Sequence, residues 1–180
     1  MEEQLIMRWK HDGLPPQPPV FPEGVTVQTF RDLEDPIDQW RKTVAYMGGD
    51  YNAWIAENPD YYRKHMLSYR CFRDDQVYFL AVNGEIASTI TVICDYENLE
   101  GYIHMVACKS QFRGQGLGTL MNTLAVAVLK REGMQSAYLT TDDWRIPAIK
   151  SYLRAGFLPE LAGDPSFPAR WEAIRKVIGH

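Results

Sequence analysis

The sequence predicts a single mixed α/β domain, a mixed sheet flanked by helices. Three observations carry this. Val77–Val82 and Ile86–Cys94 are apolar runs joined by Asn83-Gly84, a pair suited to the positive φ angles of a type I′ hairpin turn. The apolar run Tyr102–Cys108 leads through Arg113-Gly114-Gln115-Gly116-Leu117-Gly118-Thr119 into a strongly periodic helix. Strand and helix then alternate to Phe157-Leu158, and such a series after a meander indicates a mixed sheet.

In chain order, residues 1–22 carry Pro15, Pro16, Pro18, Pro19 and Pro22. Proline fixes φ and removes a donor, so an extended arm is expected, packed on the surface through Trp9 and Phe21. The folded domain is expected over residues 23–180, with no second domain. Val25–Phe30 alternates as a strand. A helix follows from about Leu33 to Met47, its start blurred by Pro36, and Gly48-Gly49 end it. Residues 51–69 are helical but interrupted by Pro59, and crowded with Tyr51, Trp54, Tyr61, Tyr62 and Tyr69. These aromatics fill core or wall an acceptor pocket. Asp95–Gly101 is a polar connection between strands.

The helix after the glycine-rich stretch places Leu117, Leu120, Met121, Leu124, Ala125, Val128 and Leu129 on one stripe. Gly133 stops it, and Ser136–Thr140 is the next strand. Asp142 or Asp143 can cap a helix from about Ile146 to Ala155, with Pro147 tolerated in its first turn. That helix ends at Gly156. A last amphipathic helix is expected near Ala169–Ile178, with Trp171, Ile174 and Ile178 on one face.

At 180 residues the chain can bury a sizeable core. Its net charge of −4 argues against a nucleic-acid surface, which needs a basic stripe, and mildly favours a cationic partner. The three cysteines cannot pair completely, and Cys94 and Cys108 lie in apolar runs, so reduced thiols in a cytoplasmic protein are expected. Met1-Glu2-Glu3-Gln4 lacks the character of a signal peptide. No run reaches the roughly 18–20 apolar residues of a membrane helix, so no membrane role is expected. No metal site is expected.

A glycine-rich turn between a strand and a helix lets backbone N–H groups converge on a phosphate at the positive end of the helix dipole. Spacing narrows the ligand. A dinucleotide fingerprint starting at Gly114 or Gly116 needs glycine at 119 or 121, where Thr119 and Met121 stand. A Walker A loop needs a lysine, and none follows before Lys130. The pattern left is R-x-x-G-x-G: Arg113, Gly116, Gly118.

That pattern resembles the coenzyme A pyrophosphate loop of the GNAT N-acetyltransferase superfamily. Ala148-Ile149-Lys150-Ser151-Tyr152-Leu153-Arg154-Ala155-Gly156-Phe157 resembles the same family's A-I-x-x-Y-x-x-x-G-F signature. The resemblance covers about residues 25–161 and implies a single-domain GNAT-like fold, a mostly antiparallel twisted sheet with a central, splayed parallel strand pair, flanked by helices. It further implies acetyl-CoA as cofactor, with the backbone of Val106, Ala107 and Cys108 pairing with pantetheine. Amides from Arg113 through Gly114, Gln115, Gly116, Leu117 and Gly118 to Thr119 would hold the pyrophosphate. Tyr152 matches the family tyrosine beside the sulfur, able to protonate the departing thiolate. Tyr102 and His104 project to one face beside the cleft, where some members hold proton acceptors, and His104 is the candidate base.

Two departures stand out. Arg145 occupies a position where the family often has asparagine, and arginine there can meet a phosphate instead. No final strand is evident, and the helix around Trp171 stands in its place.

The function so implied is transfer of an acetyl group to a primary amine of a small molecule or peptide. The alternative from another class is a coenzyme A-binding sensor or interaction module without turnover; a phosphate-transferring kinase lacks the necessary lysine and magnesium context. The acceptor and the oligomeric state, a homodimer among the options, are left open.

Overall fold

The computed structural model describes residues 3–179; Met1, Glu2 and His180, at the ends of the two expected segments, lie outside it. Seven strands form one sheet in the order β2-β3-β4-β5-β6-β1-β7. They are β1 (Leu5–Lys10), β2 (Val25–Thr29), β3 (Val77–Val82), β4 (Glu85–Asp95), β5 (Glu100–Cys108), β6 (Ser136–Thr141) and β7 (Leu158–Pro159). The helices are α1 (Pro36–Val44), α2 (Ala53–Glu57), α3 (Asp60–His65), α4 (Leu117–Arg131), α5 (Ile146–Arg154) and α6 (Phe167–Ile178). All neighbouring strands run antiparallel except β5 and β6. The mixed sheet, its hairpin and its parallel pair match the fold class expected from the sequence.

Local chemistry explains the element boundaries. Asn83 and Gly84 take φ 50° and 86° and turn β3 into β4, the signs a type I′ turn requires. Helix α1 begins at Pro36 rather than Leu33, because the Asp35 carboxylate accepts from Asp38 N–H at 3.0 Å. Proline suits this first turn. Asn52 caps α2 in the same way, and Asn58-Pro59 divides α2 from α3. Helix α6 starts two residues earlier than expected, at Phe167, with Pro168 in its first turn.

The main correction lies at the N-terminus. Extended backbone was expected over the first residues, but as a surface arm. Instead Leu5–Lys10 is a sheet strand between β6 and β7, antiparallel to both. Leu5, Met7 and Trp9 are buried in the larger core, while Ile6 and Arg8 face the other side. This period of two was masked by the prolines that follow it. The proline segment itself has no regular structure, and Phe21 packs against the core. No strand forms after α6 among the described residues; β1 extends the sheet beyond β6, and the short β7 is its edge.

Each sheet face has its own core. On one, α4, α5 and α6 pack Met121, Ala125, Leu129, Ile149, Tyr152 and Trp171 against β1, β4 and β6. On the other, Trp40 of α1 and Tyr61 and Tyr62 of α3 pack against Phe79 of β3. No helix among the described residues is long and apolar enough to cross a membrane.

Candidate functional site

The site is prepared by an irregularity in β5. Thr89 pairs with Ala107 but Thr91 pairs with His104, so Met105 and Val106 together oppose Ile90. This is a β-bulge, and Met105 takes φ 51°, a left-handed conformation rare for a methionine. Such a bulge bends its strand. The parallel ladder between β5 and β6 runs from Glu100↔Ser136 to Ile103↔Leu139 and stops there. Both strands continue, β6 with β1 and β5 with β4. From His104 onward, the β6-facing backbone of β5 therefore has no ladder partner. Val106, Ala107 and Cys108 line that free edge.

The edge runs into the glycine-rich loop. A short 3₁₀ turn at Ser110–Phe112 leads to Arg113, and Gly114 and Gly116 adopt φ 76° and 79°. A Cβ at either glycine would meet no atom within 4 Å, so glycine is needed there for the sign of φ rather than for room. Gly116 caps α4 without any side-chain cap bond, and the first i→i−4 bond is Leu120 N–H to Gly116 C=O at 3.1 Å. The amides of Leu117, Gly118 and Thr119 precede that bond and lack intrahelical acceptors. With the helix dipole they form an anion cradle of the kind a pyrophosphate fits. Leu117 is buried and anchors the turn to the core. Gln115 reaches back to the carbonyl of Gln111 at 3.4 Å.

Arg113 does not aim its charge into the cradle. Its Nε donates to the Cys108 carbonyl at 3.2 Å and its Nη2 to the Tyr46 carbonyl at 2.7 Å. Arg145, just before α5, is also engaged. Its Nε lies 2.8 Å from Asp142 Oδ2, at an angle that makes an ion pair without a hydrogen bond. Its guanidinium stacks 4.7 Å from the Trp144 ring centroid.

His104 and Tyr102 project from β5 toward α3, as their spacing of two required. His104 Nε2 lies 2.9 Å from the carbonyl of His65, and Nδ1 lies 3.1 Å from the Tyr102 hydroxyl. A carbonyl only accepts, so Nε2 carries the proton and Nδ1 accepts from Tyr102. Tyr69 covers the imidazole at 4.6 Å, and Tyr138 of β6 stacks on Tyr102 at 4.6 Å and 16°. Burial lowers the His104 pKa, partly opposed by the His65 carbonyl, and burial raises that of Tyr102.

Tyr152 lies in the opposite layer, on α5, only 6% exposed and edge-on to Phe157. Burial pushes its phenol up to about 12, partly offset by the nearby charge of Arg145. It therefore holds its proton at neutral pH. Among the described residues no hydrogen bond or ring contact joins Tyr152 to His104. The sheet separates them, with the free β5 edge between their two layers.

The crowded segment 51–69 divides by role. Tyr61 and Tyr62 are core, Tyr51 and Trp54 are exposed, and Tyr69 touches the His104 pair. Tyr138 and the His65 carbonyl were missed as parts of the site. The strand expected at Ser136–Thr140 gives Tyr138 a face, but nothing in the sequence could pair a backbone carbonyl with His104.

Comparison with known proteins agrees with this geometry. The family model described as "Acetyltransferase (GNAT) family" matches residues 39–157. The mycothiol acetyltransferase of Streptomyces bingchenggensis (strain BCW-1) is 29% identical over 152 residues, 77% of this chain and 44% of that protein. N-alpha-acetyltransferase 30 of Schizosaccharomyces pombe is 30% identical over 101 residues, 53% of this chain and 67% of that protein. This chain spans about half the length of the mycothiol acetyltransferases it matches. In fold it is similar to a GCN5-related N-acetyltransferase from Sphaerobacter thermophilus. The TM-score is 0.62 at 22% identity, covering 87% of this chain and 48% of the other. A tandem GNAT protein from the clavulanic acid biosynthesis pathway gives a TM-score of 0.61 at 20% identity, covering 86% and 49%. The family match runs from within α1 through the bulged β5, the uncapped α4 and α5, so the chain belongs to the acetyltransferase (GNAT) family.

Proposed function

We propose that this chain transfers the acetyl group of acetyl-CoA to a primary amine of a small molecule or peptide by direct attack. The observation that carries the reading is the free edge of β5 leading into the uncapped N-terminus of α4. An extended amide-bearing arm needs such an edge, and a pyrophosphate needs such a helix start. When bound, acetyl-CoA supplies an activated thioester. The backbone of Val106, Ala107 and Cys108 is assigned to the pantetheine arm, and the amides from Gly114 to Thr119 to the pyrophosphate; the Arg113 N–H, expected among them, is instead taken by the Ser110 carbonyl at 3.2 Å.

The remaining steps belong to side chains. An ammonium must lose its proton before it can attack. His104 has both ring nitrogens engaged and is only 9% exposed, so we assign the proton's route through Tyr102. The Tyr102 oxygen takes the ammonium proton as its own proton passes to His104 Nδ1. The imidazolium is then held by the His65 carbonyl. Tyr152 donates its phenolic proton to the departing thiolate. Arg145 is assigned to the cofactor side of α5, where releasing Asp142 would free it for a phosphate.

The names of the relatives span a small molecule and an N-alpha group, which supports keeping both acceptor classes. A cytoplasmic setting fits the three free thiols. Saturating acetyl-CoA should raise the melting temperature, and a screen of small amines and peptides should then release coenzyme A. No thermal shift refutes cofactor binding. A shift without turnover on any amine favours the sensor reading over the enzyme.

A further inference from the structure

Arg113 sits at the entry of the glycine-rich loop, yet its guanidinium faces away from the cradle and joins two distant pieces of backbone. The Cys108 carbonyl ends β5, while the Tyr46 carbonyl belongs to the turn after α1, 67 residues away in sequence. A guanidinium is a rigid planar fork, so one head group can hold both carbonyls in a fixed relation.

The turn it grips leads to the acceptor side. It is closed by Asn52 N–H donating to the Ala45 carbonyl at 2.9 Å. It contains Gly48 and Gly49, the latter at φ 116°. Tyr46 contacts Tyr51 at 5.1 Å between ring centroids, and Tyr51 and Trp54 are exposed beyond it. Asn52 caps α2, and the chain then runs through α3 to His65, whose carbonyl fixes His104. Hydrogen bonds and the intervening chain thus connect the glycine-rich loop to the His104 imidazole.

We propose that the Arg113 side chain is a positioning residue that couples the cofactor loop to the aromatic turn at residues 45–52. An anion in the cradle immobilises the loop backbone from 113 to 119. Through the Arg113 fork that order reaches Tyr46, and with it the acceptor side. Coupling of this kind is reciprocal, so an acceptor that orders the turn also tightens cofactor binding. The inference rests on the coenzyme A reading above, but assigns to this side chain a task other than contacting phosphate.

The test is amide hydrogen exchange on the full chain with and without coenzyme A, for the wild type, Arg113→Gln and Arg113→Lys. Lysine keeps the charge but lacks the fork, so it separates electrostatic attraction from bridging. In the wild type, coenzyme A should slow exchange at 114–119 and also at 45–52. In both variants the slowing at 114–119 should persist, with the coenzyme A Kd changed by less than about fivefold, while the slowing at 45–52 is lost. Retained slowing at 45–52 in the variants overturns the coupling. So does a Kd weakened beyond about tenfold at unchanged Tm, which would make the side chain a phosphate ligand. A wild type that binds no coenzyme A overturns the cofactor reading itself, an outcome distinct from binding without protection.

Discussion

The Nε2–H of His104 donates to the backbone carbonyl of His65 at 2.9 Å, and this one bond selects the ring's tautomer. It leaves Nδ1 as the acceptor, 3.1 Å from the Tyr102 hydroxyl. A histidine with both nitrogens filled reaches solvent only through its partner. In the proposed reaction Tyr102 is thus part of the base rather than its neighbour.

The acid limb of kcat/KM should therefore report an apparent pKa below the usual 6.5 of histidine, because burial disfavours the imidazolium. Tyr102→Phe and His104→Ala should both abolish that limb, whereas a limb kept by Tyr102→Phe would separate the two residues. The same shift acts on stability. The unfolded chain takes up its proton first as pH falls. Stability is thus complete above about 6.5 and declines from there toward the lower folded-state pKa.

Tyr152→Phe removes a hydroxyl and keeps the ring in the core. General-acid catalysis by Tyr152 predicts a kcat loss of about 10²- to 10⁴-fold with Tm nearly unchanged. An unaltered rate would remove the role.

Gly116→Ala tests the α4 start. Since a Cβ there meets nothing within 4 Å, the cost is conformational, about 1–2 kcal/mol by denaturant titration. Gly116→Asn should recover part of it, because asparagine tolerates the left-handed region. Equal losses for both would point to a steric cause that the geometry does not contain.

Strand β1 offers a stability test at the other end of the sheet. Leu5 and Met7 are fully buried, so Leu5→Ala and Met7→Ala should each cost about 2–5 kcal/mol. Losses near zero would mean that these residues are an arm after all.

The local features were legible because they depend on short-range physics. Asn83-Gly84 dictates its own backbone, the stripe from Leu117 to Leu129 dictates a helix face, and the spacing of Gly114 and Gly116 dictates an uncapped helix start. The bulge at Met105 was not legible, since no glycine or proline marks it. It arises where β4 and β5 pair out of step. Strand β1 was obscured too, because a six-residue alternation beside a proline cluster gains meaning only when β6 and β7 offer it edges. The sequence alone determined the fold class, the glycine-rich turn into α4 and the shared face of Tyr102 and His104. Only tertiary structure decided that Arg113 grips Tyr46, that His65 selects the tautomer of His104, and that an N-terminal strand completes the sheet. Each of these turns on a backbone group far along the chain from its partner, and backbone carbonyls and amides are the same at every residue.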